Sequence, residues 1–151
     1  MKTFLIRLNQ GSLSYINIGL LVFRLVLGGM FMWHGYPKIS GGVEKWAILG
    51  KTMEAFGISF FPAFWGFMSG FAEFFGGLCF ALGFLYRPVC LLLAGNMIIA
   101  FSTQMVGDKG LMKAAQSLED GFSFFAAFFV GPGKYSVDEL LGMHSSPKSR
   151  F

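Results

Sequence analysis

The sequence predicts an all-α fold: an integral membrane four-helix bundle with an interfacial amphipathic helix between the first and second spans. Three observations lead there. Hydrophobic residues make up 54% of the chain and charged residues only 13%, against about 25% charged in an average soluble domain. Twenty phenylalanines among 151 residues would overfill a soluble core, whereas lipid-facing helix surfaces can absorb them. The apolar residues also fall in long runs punctuated by Gly, Pro and charge. At this length a single transmembrane domain over 1–151 is expected.

The chain begins with Met1, Lys2 and Arg7, like the basic start of a signal peptide. The apolar stretch that follows, however, contains Arg24, continues to about Trp33 and shows no small-residue cleavage site. A retained first span is therefore expected at about 15–35, long enough to cross a hydrocarbon layer, with Gly35-Tyr36-Pro37 ending it. Over about 41–57, Trp46, Leu49, Met53 and Phe56 recur at helical spacing while Glu44, Lys45, Lys51 and Glu54 fall between them. That is the pattern of an amphipathic helix lying flat on a membrane surface.

The second span is expected at about 61–85, closed by Arg87-Pro88, and the third at about 88–104. A loop of mixed charge follows, from Gly107-Asp108-Lys109-Gly110 to Lys113. The fourth span, about 117–131, opens with Glu119-Asp120 and is stopped by Gly131-Pro132-Gly133. The remainder, with Ser145, Ser146, Pro147, Lys148 and Ser149, reads as a frayed polar tail.

Four spans put both termini on one side. Lys2, Arg7, Arg87, Lys134, Lys148 and Arg150 fall on that side, against Lys38, Lys45, Lys51, Lys109 and Lys113 opposite. The latter are partly matched by Glu44, Glu54 and Asp108, so both termini are expected in the cytoplasm. A net charge of +4 does not imply nucleic acid, because the basic residues are scattered singly. Cys79 and Cys90 lie in apolar segments and read as buried thiols rather than disulfide partners or zinc ligands.

Arg24 and Glu73 each sit inside an apolar span, where an unpaired charge costs a few kcal/mol. Gly66, Gly70, Glu73, Gly77 and Ala81 share one face of the second span, and Asn17, Arg24, Gly28 and Gly35 share one face of the first. Small-residue stripes let helices approach closely, so the two are natural partners. Counted from the terminus side, Arg24 lies about 10 Å deep, Asn96 about 12 Å and Glu73 about 18 Å. A buried Arg24–Glu73 pair with Asn96 nearby is expected, serving helix register or a proton relay or headgroup anchor.

A second polar group lies at the opposite surface: Trp33, His34 and Lys38 ending the first span, Gln104 ending the third, and Glu119-Asp120 opening the fourth. Belt placement and snorkelling account for Trp33, His34 and Lys38 without any function. Their donors would alternatively hydrogen-bond a quinone carbonyl or bind an anion. One imidazole cannot supply two axial haem ligands, no metal site is expected, and no strand leads into a glycine-rich nucleotide motif.

Several pieces stand in a telling order: Arg24 with Gly28 and Gly29, His34-Gly35-Tyr36-Pro37-Lys38, Glu73 followed by Gly76-Gly77 and Leu78 to Gly83, and the closing Gly131-Pro132-Gly133-Lys134-Tyr135-Ser136-Val137-Asp138. In these the chain resembles the DoxX family of small bacterial membrane proteins over nearly its whole length. The resemblance implies a four-helix fold in the bacterial inner membrane, with Arg24, His34, Lys38 and Glu73 at the family's polar motif positions. It also implies a quinone-linked oxidoreductase component in redox or thiol and sulfur metabolism, although this chain lacks the larger, fused form of the sulfur-oxidising relatives.

Two function classes stay open. A membrane oxidoreductase subunit would use His34, Lys38, Arg24 and Glu73 for chemistry, with Trp33, Asn96 and Glu119 contacting the quinone. It would take electrons from a soluble or membrane redox partner, since the sequence carries no cluster or dinucleotide motif of its own. A non-catalytic adaptor would instead dock a partner protein or a second copy of the chain through the small-residue stripes and the face of Phe122, Phe124, Phe125, Phe128 and Phe129, which lipid would also cover. Transport ranks last, because the polar residues gather in two zones rather than along a pore.

Overall fold

The computed structural model describes residues 13–106 and 110–143, and those residues are helical without a strand. Lys2 and Arg7, the loop charges Asp108 and Lys109, and the tail with His144 and residues 145–151 lie outside the described residues. The elements in order are α1 (Leu13–Ile39), α2 (Gly42–Gly50) with a 3₁₀ turn (Lys51–Phe56), α3 (Pro62–Leu82), α4 (Tyr86–Val106), α5 (Leu111–Val130) and the short α6 (Val137–Leu140). Three helices, Ser14–Ile39, Pro62–Leu82 and Tyr86–Val106, are long and apolar enough to cross a membrane. The 20-residue α5 is as long but carries Lys113, Glu119 and Asp120. The two acidic residues sit in mid-helix rather than at its start.

Each boundary has a local cause. α1 runs through Pro37 to Ile39, because a proline this close to a helix end removes only one backbone bond. Pro62 occupies the first turn of α3, where its missing N–H costs nothing. α3 ends in a Schellman motif: Gly83 is left-handed at φ 67, its N–H donates to Phe80 O, and Phe84 N–H donates to Cys79 O.

The expected pairing of small-residue stripes holds between antiparallel α1 and α3. A Cβ added to Gly28 would lie 2.6 Å from Gly77 O, and one on Gly35 would lie 2.5 Å from Phe74 N. Gly70 faces the Lys38–Ile39 backbone in turn. Gly66 departs from the stripe, since it seats the backbone of Trp46 from α2 instead.

The segment between α1 and α3 is amphipathic: Glu44, Lys45, Lys51 and Glu54 are exposed, while Trp46, Leu49 and Met53 are half-buried. It packs along α3, and Trp46 Nε1 donates to Lys38 O at 2.9 Å. The core lies between α1, α3, α4 and α5, around Phe31, Phe80, Leu93, Met97 and Phe124. Phe124 meets Phe31 and Phe80 edge-on at 4.7 and 5.0 Å, so it is core and not outer face. Phe122, Phe125 and Phe129 remain exposed. Cys90 is buried and Cys79 half-buried, both free.

Candidate functional site

Glu73 lies near the middle of α3 and is 3% exposed. Lys38 Nζ, from the last turn of α1, stands 2.5 Å from its Oε1, and Asn96 Nδ2 of α4 donates to the same oxygen at 3.1 Å. Three helices thus converge on one carboxylate oxygen. The other oxygen, Oε2, is buried with no hydrogen-bond partner among the described residues. A buried carboxylate held by an ammonium and an amide is satisfied on one side and open on the other, an arrangement that favours an additional donor.

Glu73 lines a cleft of about 530 Å³, within the range of small-molecule sites. Lys38, Glu73 and Asn96 form its polar end, and its walls include Leu49, Met53, Met68, Leu92 and Ile99. Leu92 and Ile99 are themselves 44% and 37% exposed on the outer face of α4. The cleft therefore opens sideways between α4 and the segment that covers α3. A smaller cleft of about 190 Å³ reaches the same Lys38–Glu73 pair from the other side, lined by His34, Gln104, Gln116, Ser117 and Asp120. Gln104 Nε2 donates to Ser117 Oγ at 2.9 Å there, tying α4 to α5.

The expected Arg24–Glu73 pair does not form. In the α1–α3 register, Gly35 is the residue opposite Glu73, and Arg24 lies eleven residues earlier, about 16 Å along the helix axis. Arg24 is fully buried at the opposite end of the molecule. Its Nη2 donates to Tyr135 O, and a Cβ on Gly83 would collide with its guanidinium. Asp138 supplies the neighbouring negative charge, while its carboxylate accepts from Leu85 N at 2.8 Å and Tyr86 N at 2.9 Å at the start of α4. Lys134 N donates to Asn17 Oδ1 at 3.0 Å. The residues from Gly131 to Asp138 thus close this end of the bundle as a strap held by α1 and α4.

The sequence-predicted site residues therefore regroup. Glu73 and Asn96 join Lys38 and His34 at one end, and Arg24 stands apart beyond the aromatic layer of Phe31, Phe80 and Phe124. Trp33 is 76% exposed and lines neither cleft. Glu119 is exposed and likewise lines neither, whereas its neighbour Asp120 does. Asp120 and Gln104 belonged to the expected mouth but not among the favoured site residues. Asp138 carried no local signal, since its partners are 52 and 53 residues away.

A family model described as DoxX matches residues 19–105, a stretch that includes Arg24, His34, Lys38, Glu73 and Asn96 but stops short of Asp120 and Asp138. The inner membrane protein YqjF of Escherichia coli (strain K12) is 30% identical over 128 residues, covering 83% of this chain and 93% of that protein. No solved structure matches the chain.

Proposed function

The chain belongs to the DoxX family, and from that premise we propose that it is a multi-pass protein of the bacterial cytoplasmic membrane that binds a quinone between α1, α3 and α4 as part of a redox system. In this reading all four long helices cross the bilayer, α5 included, and the 42–56 segment lies at the interface. Both termini face the cytoplasm.

The observation that carries the reading is the Lys38–Glu73–Asn96 cluster at the end of a mainly apolar cleft, whose sideways opening meets lipid in this reading. Lipid-side access suits a ligand that lives in the membrane, and apolar walls suit a ring with a hydrocarbon tail. The donor set fits a quinone headgroup: the Lys38 ammonium and the Asn96 amide can face a carbonyl oxygen, and the free Oε2 of Glu73 can accept from a hydroxyl. A bound quinone would supply two-electron, two-proton chemistry. The residues of the chain hold and orient the headgroup, keep water from the apolar side, and present a carboxylate that can hold a proton at Oε2. Electrons come from a partner redox subunit.

The test is the lipid extract of protein purified in native-lipid discs. A stoichiometric quinone that is lost in Lys38→Ala supports the reading. A quinone-free protein that carries a tightly bound soluble enzyme instead overturns it in favour of an adaptor.

A further inference from the structure

The two clefts meet at Glu73 but differ in character. The larger is walled mainly by apolar side chains, with Gln104 shared between the two, and the smaller is lined by His34, Gln116, Ser117 and Asp120. Phe31 and Met97 close its inner end, and beyond them Phe31, Phe124 and Phe80 pack edge to face. Polar contact with Glu73 thus extends toward one surface only. Among the described residues, no polar route continues through the aromatic layer to Arg24.

We propose that the smaller cleft is a proton-access path to Glu73, in which Asp120 of α5 and His34 of α1 exchange protons between water at the mouth and Oε2. Asp120 lies within electrostatic reach of His34, and both share the cleft with the Lys38–Glu73 pair. Oε2 is the oxygen left open after Lys38 and Asn96 have occupied Oε1. Among the described residues, the charged and titratable groups that share this cleft with Glu73 are Lys38 and His34 from α1 and Asp120 from α5. α4 contributes the neutral Asn96 and Gln104, and Glu44, Lys45, Lys51 and Glu54 of the covering segment are exposed, Lys45 Nζ donating to Pro37 O at 2.6 Å.

The step moves protons alone. An O–H bond forms at Glu73 as an N–H or O–H bond breaks on His34 or Asp120, and water at the mouth restores the donor. Separate routes for a lipid-soluble ligand and for protons keep bulk water out of the apolar cleft. The inference rests on the reading of Glu73 as a ligand-contacting group, but its test needs no ligand.

The experiment is infrared difference spectroscopy of the protein in nanodiscs, acidified until the carboxylic acid band that Glu73→Gln removes is present, following hydrogen–deuterium exchange at that band. Asp120→Asn is expected to slow that exchange about a hundredfold, the low end of what one positioned proton-transfer group contributes. Asp120→Glu should restore it, and exposed Glu44→Gln should leave it unchanged. Ser117→Leu, which obstructs the cleft and keeps every titratable group, is expected to slow it as well. Unchanged exchange in both Asp120→Asn and Ser117→Leu overturns the proposal, whatever quinone the protein holds. A protein that exchanges through this path yet binds no quinone overturns the binding assignment and leaves the path standing.

Discussion

Lys38 Nζ stands 2.5 Å from Glu73 Oε1 and joins the end of α1 to the middle of α3. The pair spans 35 residues of sequence and fixes two helices whose glycines already bring their backbones together. Because Glu73 is 3% exposed and the Lys38 side chain 30%, removing either partner leaves the other charge poorly compensated.

Lys38→Ala is expected to destabilise the fold by about 3 kcal/mol, the lower end for breaking a buried pair, since Lys38 keeps some access to solvent. Replacing both partners, as Lys38→Met with Glu73→Met, should recover most of that loss while abolishing ligand binding. Unfolding equilibria in mixed detergent micelles, read alongside quinone content, separate the two effects.

A double-mutant cycle distinguishes the observed pairing from the one expected by depth. Lys38→Ala and Glu73→Ala should couple by more than 1 kcal/mol, whereas Arg24→Ala and Glu73→Ala should add to within about 0.5 kcal/mol, as separated sites do. Strong Arg24–Glu73 coupling would restore the rejected pair.

Arg24→Ala acts elsewhere. Without the bond from Nη2 to Tyr135 O, the strap from Gly131 to Asp138 loses one of its two ties to α1 and keeps only that from Lys134 N to Asn17 Oδ1. Exposed Lys134 should then be cut by trypsin faster than in the parent protein, and Lys38→Ala should show no such change. Asp138→Ala removes the acceptor for Leu85 N and Tyr86 N at the start of α4. Its expected cost is about 1–2 kcal/mol, as for a lost helix cap, with Asp138→Asn costing less. Thermal unfolding measures both.

The α1–α3 interface gives a size-dependent contrast. Gly28→Ala would place its Cβ 2.6 Å from Gly77 O and 2.8 Å from Ala81 Cβ, an overpacking cost of about 1–3 kcal/mol. Gly29→Ala, one residue on, meets nothing within 4 Å and should be neutral or slightly stabilising, because alanine is the better helix former. The same unfolding measurement ranks the two.

What the sequence revealed of this molecule follows from the range of its signals. Gly28 and Gly35 on one helix and Gly70 and Gly77 on another announce a face by spacing alone, so the α1–α3 contact was legible. The register was not, because stripes with small residues every turn or two can slide along each other without changing faces. Depth counted from assumed span borders then put Arg24 within reach of Glu73. The helix that continues through Pro37 to Ile39 instead brings Lys38 there. His34, Lys38, Gln104 and Asp120 were legible as a mouth because each falls in the polar zone at the same ends of the spans expected from the sequence, even though Asp120 sits in mid-helix in α5. Trp33 and Glu119 adjoin that zone in sequence, but a step of one residue turns a side chain by about 100° around the helix. The strap from Gly131 to Asp138 is irregular backbone tied to partners 52 to 117 residues away, and no periodicity encodes such contacts.

The most direct measurement is photolabelling of the protein in nanodiscs with an azido-quinone, followed by peptide mapping. Adducts confined to Leu49, Met53, Met68 and Ile99, chased by excess unlabelled quinone and absent from the Lys38→Met, Glu73→Met double variant, are the expected result. Adducts that cannot be chased, or that fall on Phe122, Phe125 and Phe129 instead, would contradict a quinone site at the Lys38–Glu73 pair.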